Sequence, residues 1–363
     1  LPYHVREGFP HFQAQAAEGD PCYEFPLSRR ALSMKRVSAN VIVPCLPSFV
    51  NAKKRAMAKG RCTVDDVARA AGVSSMTVSR AMNGMPGLGE ATRERVLEAA
   101  KRLGYRPSRV ARALASRKSS SLGIVLPDMA NPFFAILAKA ATDVARSAGK
   151  SVFVMNTDED PSLEEEALDT LRGEDIAGVI VAGSRLPEGR LLALAADFRS
   201  TVLINRDCSG PGLGCVNVQD REGAADAVAY LASTGRRRIA LIAGPRIAAG
   251  ARRRLAGYRD GLDRSGLAYD AAIVQACVPT IEGGARATRE LLARAQGIDA
   301  ILAYNDLAAI GVLRALEESG RSVPRDVAVM GTDDVPYAAL VRPALSTVRA
   351  DIPLLGASAM RLL

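Results

Sequence analysis

Residues Thr63 to Asn83 read TVDDVARAAGVSSMTVSRAMN, two short helical patterns broken at Gly72-Val73. Val67, Ala68 and Ala71 recur at the spacing that places apolar side chains on one helix face. Thr63 and Asp66 stand three apart, the spacing of an N-terminal capping box. Gly72 suits a tight turn, and Ser74 offers a hydroxyl to cap a second helix. A capped helix, a glycine turn and a second capped helix together make a helix-turn-helix. Helical phase in the second segment sends Val78 and Met82 inward. It leaves Ser75, Met76, Ser79 and Arg80 outward, where base edges and phosphates would lie.

Beyond a loop from Gly84 to Gly89 comes a third amphipathic pattern, EATRERVLEAAKRLGY, expected to bury Val96, Leu97, Ala100 and Leu103 and so complete a three-helix core. Pro107 ends that run. Ser108 to Ala115 then form a short basic helical pattern ahead of the Ser-rich linker Arg117 to Ser121. Too short to hold itself, this piece is expected to fold only against a partner. Charge follows the same division. Residues 51–121 carry 16 Lys/Arg against 5 Asp/Glu, whereas residues 122–363 carry 27 against 30. The excess of +9 is therefore concentrated beside the helical head, the distribution expected of a part that displaces counterions from DNA.

From Leu122 the rhythm changes to apolar runs of about five residues alternating with helical segments, the pattern of a parallel sheet covered on both faces. Strands are expected at 122–126, 152–155, 179–181, 202–204, 239–243, 301–303 and 327–330. Ligands of such folds sit beyond the carboxyl ends of the strands. The polar residues after each run are therefore site candidates: Asp128 to Phe134, Ser184, Asn205-Arg206, Asn305-Asp306 and Asp333-Asp334.

A chain of 363 residues exceeds one typical core, so several domains are expected. The six cysteines, Cys22, Cys45, Cys62, Cys208, Cys215 and Cys277, form no CxxC pair, and reduced thiols account for them more simply than disulfides or zinc. No apolar run reaches the roughly 18 residues of a membrane span, and no charged-then-apolar leader opens the chain. A soluble cytoplasmic protein with no membrane partner is expected. Residues 1–60 lack sustained periodicity and read as a disordered or overextended leader, with a regulatory arm as the alternative. Both histidines, His4 and His11, lie in that leader, which leaves the rest of the chain without the commonest general base. No catalytic residue, cofactor or metal is expected. Gly210-Pro211-Gly212-Leu213-Gly214 lacks the strand-then-helix context of a dinucleotide loop and reads as a turn.

From about Arg61 onward the chain resembles bacterial transcriptional repressors of the lactose/galactose-repressor (LacI/GalR) type. The resemblance is carried by TVDDVARAAGVSSMTVSRAMN, YRPSRVARALA, SLGIVLPDMANPFF, RRRLAGYRDGL, AILAYNDLAAIGVLRAL and VPRDVAVMGTDD with PALSTVR, in that order. It implies an all-α helix-turn-helix head, residues 61–107, and a hinge helix and linker, 108–121. Behind them it implies an α/β core of two doubly wound parallel-sheet subdomains, like periplasmic binding proteins of type I. These would be an N-subdomain of about 122–218 with 350–363, and a C-subdomain of about 219–349. The chain stops at Leu363, inside what the resemblance makes the last helix, where relatives continue through further strands.

The resemblance also implies a homodimer, with higher assembly left open, on pseudo-palindromic operator DNA. Ser75, Met76 and Arg80 match base-reading positions, and Ser74, Thr77, Ser79 and Asn83 match phosphate contacts. An arginine can pair bidentately with a guanine edge, and short hydroxyls fix register on the backbone. Leu114 matches the family's minor-groove wedge, with Arg109 and Ala111 of the same short helix among the DNA contacts. For a small-molecule effector the resemblance carries over Phe133 and Phe134 as stacking residues, and Ser184, Asn205, Arg206, Arg254, Asn305 and Asp333 as polar contacts. That chemistry suits a sugar or similar polyol. Taken alone, Asn305-Asp306 also fits a bare helix N-cap and Arg252 to Arg254 a solvated turn. Gly89 stands where the family usually has a Ser or Asp cap. Two alternatives fit parts of the sequence: a periplasmic-type solute-binding protein, which would need an export leader and no basic head, and a doubly wound α/β enzyme.

Overall fold

The computed structural model describes residues 62–105, 121–207, 210 and 212–363. They fall into two compact units, the first ending before Lys118 and the second running from there to Leu363.

Among the described residues the first unit has three helices, α1 (Val64–Ala71), α2 (Ser75–Met82) and α3 (Glu90–Arg102). The capping box forms as the sequence suggests: the Thr63 amide donates to Asp66 at 2.9 Å and the Asp66 amide to the Thr63 hydroxyl at 3.3 Å. Gly72 closes α1 at φ 62°, ψ 40°, a left-handed conformation that glycine adopts without a side-chain penalty. Ser74 caps α2 by accepting from the Thr77 amide at 3.2 Å. Val67, Val78 and Val96, one from each helix, meet at the centre with no exposed surface. Three small residues, Ala71, Ala81 and Ala100, let the helices approach around them. Two expectations for α3 change. Leu97 and Leu103 lie on its open side, 44% and 40% exposed, because the buried stripe runs Val96, Ala99, Ala100. Met82 is half-buried, and Ala81 takes the inward position beside Val78. Gly89 precedes α3 without a side-chain cap.

The second unit contains two five-stranded parallel sheets. The first is ordered β2-β1-β3-β4-β5, from β1 (Ser121–Leu126), β2 (Ser151–Asn156), β3 (Val179–Ala182), β4 (Thr201–Ile204) and β5 (Leu213–Val216). The second is ordered β10-β9-β8-β6-β7, from β6 (Ile239–Ala243), β7 (Val274–Ala276), β8 (Ala300–Ala303), β9 (Ala328–Asp333) and β10 (Ser346–Arg349). Register is continuous across each centre: Ile124 lies beside Val154 and Ile180, and Ile301 beside Ala240 and Val329. Strands β3, β4 and β8 are buried along their whole length, so helices cover both faces. The helices are α4 (Pro132–Ser147), α5 (Pro161–Gly173) and α6 (Glu188–Ala195) on the first sheet, and α7 (Asp220–Ser233), α8 (Ala249–Arg264), α9 (Ile281–Arg294) and α10 (Asp306–Glu318) on the second. After β10 the chain returns to the first sheet as α11 (Ile352–Leu362), whose Leu355 and Ala359 join the core of Leu137 and Ala141 from α4.

Among the described residues all seven expected strands form, and three more, β5, β7 and β10, appear at sheet edges. In β5 the apolar residues Leu213, Cys215 and Val216 do not alternate and Gly214 interrupts them, so its pattern is weak. A Cβ on Gly214 would lie 2.6 Å from the tip of the Leu362 side chain. β7 is three residues long, and β10 reads STVR, too short for periodicity. Among the described residues no helix is long and apolar enough to cross a membrane. Cys62, Cys215 and Cys277 are free thiols, and Cys22, Cys45 and Cys208 lie outside the described residues.

Candidate functional sites

On the head, α2 presents a hydroxyl-rich face. Met76 is 74% exposed, and Arg80 and Asn83 are exposed beside it. Ser75, Thr77 and Ser79 are half-buried. The Ser75 hydroxyl donates to Asp65 at 2.6 Å and ties the start of α2 to α1. Ser74 and Thr77 hydroxyls bond each other at 2.9 Å, and Asn83 Nδ2 donates to Ser79 Oγ at 3.3 Å. Arg80 folds over the following loop, its Nη2 donating to the Pro86 carbonyl at 2.8 Å. One exposed guanidinium among short hydroxyls can hold phosphate and still reach a base edge. Arg109, Ala111 and Leu114 lie outside the described residues.

In the second unit the carboxyl ends of both sheets open on one cleft, with about 530 Å³ of empty space. From the first sheet come Phe133 and Phe134 after β1, Glu159 after β2, Arg185 after β3 and Asn205 after β4. From the second come Arg254 on α8, Tyr304 and Asn305 after β8, and Asp333 at the end of β9. Asn131 caps α4 by accepting from the Phe133 amide at 3.0 Å, and Pro132 starts the helix, so the two rings leave its first turn. They pack edge to face, centroids 5.1 Å apart.

Arg254 is the electrostatic centre. Its Nε donates to Asp220 at 2.9 Å, its Nη2 to Asp333 at 3.2 Å and its Nη1 to the Tyr304 carbonyl. Its guanidinium stands 4.8 Å from the Tyr304 ring centroid. Burial opposes its charge, but Asp220 and Asp333 outweigh burial and hold its pKa above the ordinary arginine value. Burial pushes the Asp333 carboxyl up to about 7, with Arg254 pulling against it and Asp220 adding to it. Asp306 behind them is driven well above the carboxylate range by burial and by the Asp333 charge. It accepts from the Thr347 hydroxyl at 2.5 Å and the Val335 amide at 2.8 Å. Across the cleft Arg185 forms a bidentate pair with Glu159 at 2.5 and 2.9 Å. Burial works against Arg185 as well, and the Glu159 hydrogen bonds reverse it, leaving the pKa raised. Backbone strain collects here. Glu159, Asn205 and Asp333 adopt φ of 63°, 57° and 117°, and all three line the cleft.

These two sites, on two separate units, match known proteins in the same order. The family model described as bacterial regulatory proteins, lacI family, matches residues 63–108. The model described as periplasmic binding proteins and sugar binding domain of LacI family matches residues 119–361, more than half of the chain. The chain belongs to the LacI family. It is 36% identical over 300 residues to the HTH-type transcriptional regulator GalR of Escherichia coli (strain K12), covering 83% of this chain and 88% of that one. It is 38% identical over 304 residues to catabolite control protein A of Streptococcus mutans serotype c, covering 83% and 90%. Among solved structures it resembles the lac repressor dimer bound to operator and the anti-inducer ONPF, with a TM-score of 0.76 and 30% identity over 84% of this chain and 92% of that one. It also resembles a transcriptional regulator CelR–cellobiose complex, with a TM-score of 0.63 and 32% identity over the same shares. The protein is a LacI-family transcriptional regulator with a helix-turn-helix and a sugar-binding-type domain, and it is not an enzyme.

In this LacI-family chain six of the eight residues matched to effector contacts line the cleft: Phe133, Phe134, Asn205, Arg254, Asn305 and Asp333. Ser184 and Arg206 do not. Ser184 accepts from the Leu186 amide at 3.1 Å and sits against the buried Glu164 carboxylate, whose pKa burial raises. Arg206 turns away to donate to the Leu186 carbonyl at 2.8 Å. Past the left-handed Gly183, at φ 56°, it is Arg185 and not Ser184 that reaches the cleft. Arg254 is buried within α8 and so is not part of a solvated turn, whereas Asn305 does cap a helix. Its Oδ1 accepts from the Ala308 amide at 2.9 Å while the residue also lines the cleft. Sequence reasoning missed Arg185, Glu159 and Tyr304. Glu159 follows β2 as the other candidates follow their strands, so the same polar-residue signal marks it.

Proposed function

We propose that this regulator is a repressor that works in the cytosol as a homodimer on a pseudo-palindromic operator and changes its hold on DNA when a sugar or similar polyol enters the cleft. Residues 61–107 form its DNA-binding domain, with Ser75, Met76 and Arg80 toward the bases and Ser74, Thr77, Ser79 and Asn83 toward phosphates. Leu114 is the wedge, with Arg109 and Ala111 beside it. A hinge of about 108–121 folds only on correctly spaced half-sites. Closure of the core about its ligand therefore biases whether it folds.

The observation that carries this reading is the cleft itself. Phe133 and Phe134 line the same cleft as Arg254, Asn305 and Asp333, groups that bond vicinal hydroxyls while a ring covers an apolar sugar face. The dimeric operator complex of the similar lac repressor and the cellobiose complex of the similar CelR support the same pairing of partners. DNase footprinting of the purified full chain on fragments from its own genome, with and without a panel of sugars, tests it. An inverted repeat of roughly 16 to 20 base pairs should be protected, with occupancy falling steeply in salt. Protection of asymmetric sites, or protection that no sugar alters, would overturn the reading.

A further inference from the structure

Two arginines face the cleft from opposite sheets, and both are already paired. Of the five N–H donors of a guanidinium, Arg254 commits three, to Asp220, Asp333 and the Tyr304 carbonyl. Arg185 commits its Nε and Nη2 to the two oxygens of Glu159 and its Nη1 to the Gly183 carbonyl. The Nε/Nη2 edge is the fork by which arginine grips a carboxylate or phosphate in parallel bonds. On Arg185 Glu159 fills it. The pair lies on the cleft wall, its side chains 5% and 21% exposed. Glu159 is held there against its backbone preference. It sits at φ 63° and Asp158 before it at φ 48°, and glutamate lacks the short side chain that eases Asn or Asp into this region.

We propose that Glu159 is a specificity-determining residue that closes Arg185 to anions, so that the cleft takes a neutral sugar and rejects sugar phosphates and uronates. This rests on the sugar-effector reading above. A phosphate or carboxylate approaching Arg185 meets the Glu159 carboxylate first and must displace a bidentate bond to reach the guanidinium. A hydroxyl needs no counter-charge. It can take the hydrogens left on Nη1 and Nη2 of either arginine and donate in turn to Glu159 or Asp333.

The test titrates the full chain, by calorimetry and thermal shift, with glucose, galactose and ribose against glucose 6-phosphate, ribose 5-phosphate and glucuronate. The unaltered protein should bind at least one neutral sugar and none of the anions. Glu159→Gln should free the fork and raise affinity for an anion at least tenfold, and adding Arg185→Gln should abolish that gain. Glu159→Ala serves the same comparison where the amide variant does not fold. An unaltered protein that binds a phosphate or uronate as tightly as its neutral parent overturns the proposal. So does a Glu159 variant no more receptive to anions than the unaltered protein. If no neutral sugar binds but Glu159→Gln gains anion binding, the sugar reading fails while the role of Glu159 stands.

Discussion

Asp220, the first residue of α7, and Arg254, inside α8, lock together across 2.9 Å with both side chains almost withdrawn from water. The second Asp220 oxygen takes Arg253 Nη2 at 3.0 Å, so one carboxylate orients two successive arginines. Its own charge is favoured by the amino end of α7. The segment before α7 is where the chain passes from the first sheet to the second, and this ion pair fixes that passage to the cleft. Asp220 does not line the cleft, so its effect on a ligand must run through Arg254.

Replacing Asp220 by Ala should therefore destabilise the core by about 3 to 5 kcal/mol, the usual cost of leaving one partner of a buried ion pair alone. Asp220→Asn, which keeps shape and one acceptor, should cost less and remain folded. In that variant the affinity for a neutral sugar should fall roughly tenfold or more, since Arg254 is no longer held in place. Calorimetric titration of the Asn variant decides it, and unchanged affinity would show that Arg254 needs only Asp333.

A second expectation concerns pH. The Asp333 carboxyl stands at about 7 and Asp306 is raised well above its usual range, whereas an unfolded carboxyl titrates near 4. Between about pH 4 and 7 the folded core therefore binds protons that the unfolded chain has released. Stability is greatest on the acid side of that window and declines as pH rises through it. Carboxylates such as Asp143, held low by a hydrogen bond from Lys139, act only below the window. Thermal melts from pH 5 to 8 should show a falling midpoint, and Asp333→Asn should flatten the fall. Sugar affinity should move the opposite way, rising with pH, because the ionised carboxylate accepts more strongly. A melting midpoint independent of pH in this range would contradict the burial of Asp333.

How far the sequence could be read depends on where the signal lies along the chain. Capping, turn and apolar phase are local, so the head was legible to the hydrogen bond at Thr63 and Asp66. Central strands were legible because both faces are buried. The edge strand β5 was not, since its apolar residues do not alternate and Gly214 interrupts them. Arg254 was legible in principle. The buried face of α8 runs Ala251, Arg254, Gly257, Tyr258, Gly261 and Leu262, and only helical phase tells which of three successive arginines turns inward. Glu159 was legible as a polar residue past β2, but its pairing with Arg185 was not, because it depends on a left-handed backbone conformation that no neighbouring glycine announces.

Two glycines give opposite kinds of cost. Gly72 sits at φ 62° with nothing within 4 Å of the place a Cβ would occupy, so Gly72→Ala pays only in backbone conformation, roughly 1 to 2 kcal/mol in the head. Gly72→Asn should recover part of this, since asparagine tolerates that region. A Cβ on Gly356 would lie 2.3 Å from the Leu137 carbonyl, at the contact of α11 with α4. Gly356→Ala must push two helices apart, about 1 to 3 kcal/mol or more, in the core. Separate melting of the two units should show each variant shifting its own transition. A Gly356→Ala core as stable as the unaltered one would mean α11 is not packed against α4 as described.

Arg80 separates recognition from stability. Its guanidinium is exposed, and its bond to the Pro86 carbonyl is a surface contact whose loss should change head stability by no more than about 0.5 kcal/mol. On DNA the same donor would leave Pro86 for a base edge, where losing it should cost about 1 to 3 kcal/mol at one position of each half-site. Arg80→Lys keeps the charge but loses the planar fork, so it should keep most of the salt dependence while relaxing base preference. Arg80→Ala should lose both. Competition footprints on operators altered one base pair at a time distinguish these outcomes. If Arg80→Ala binds with unchanged sequence preference and only uniformly weaker affinity, the residue holds phosphate, and base reading must be sought in Ser75 and Met76 on the same face.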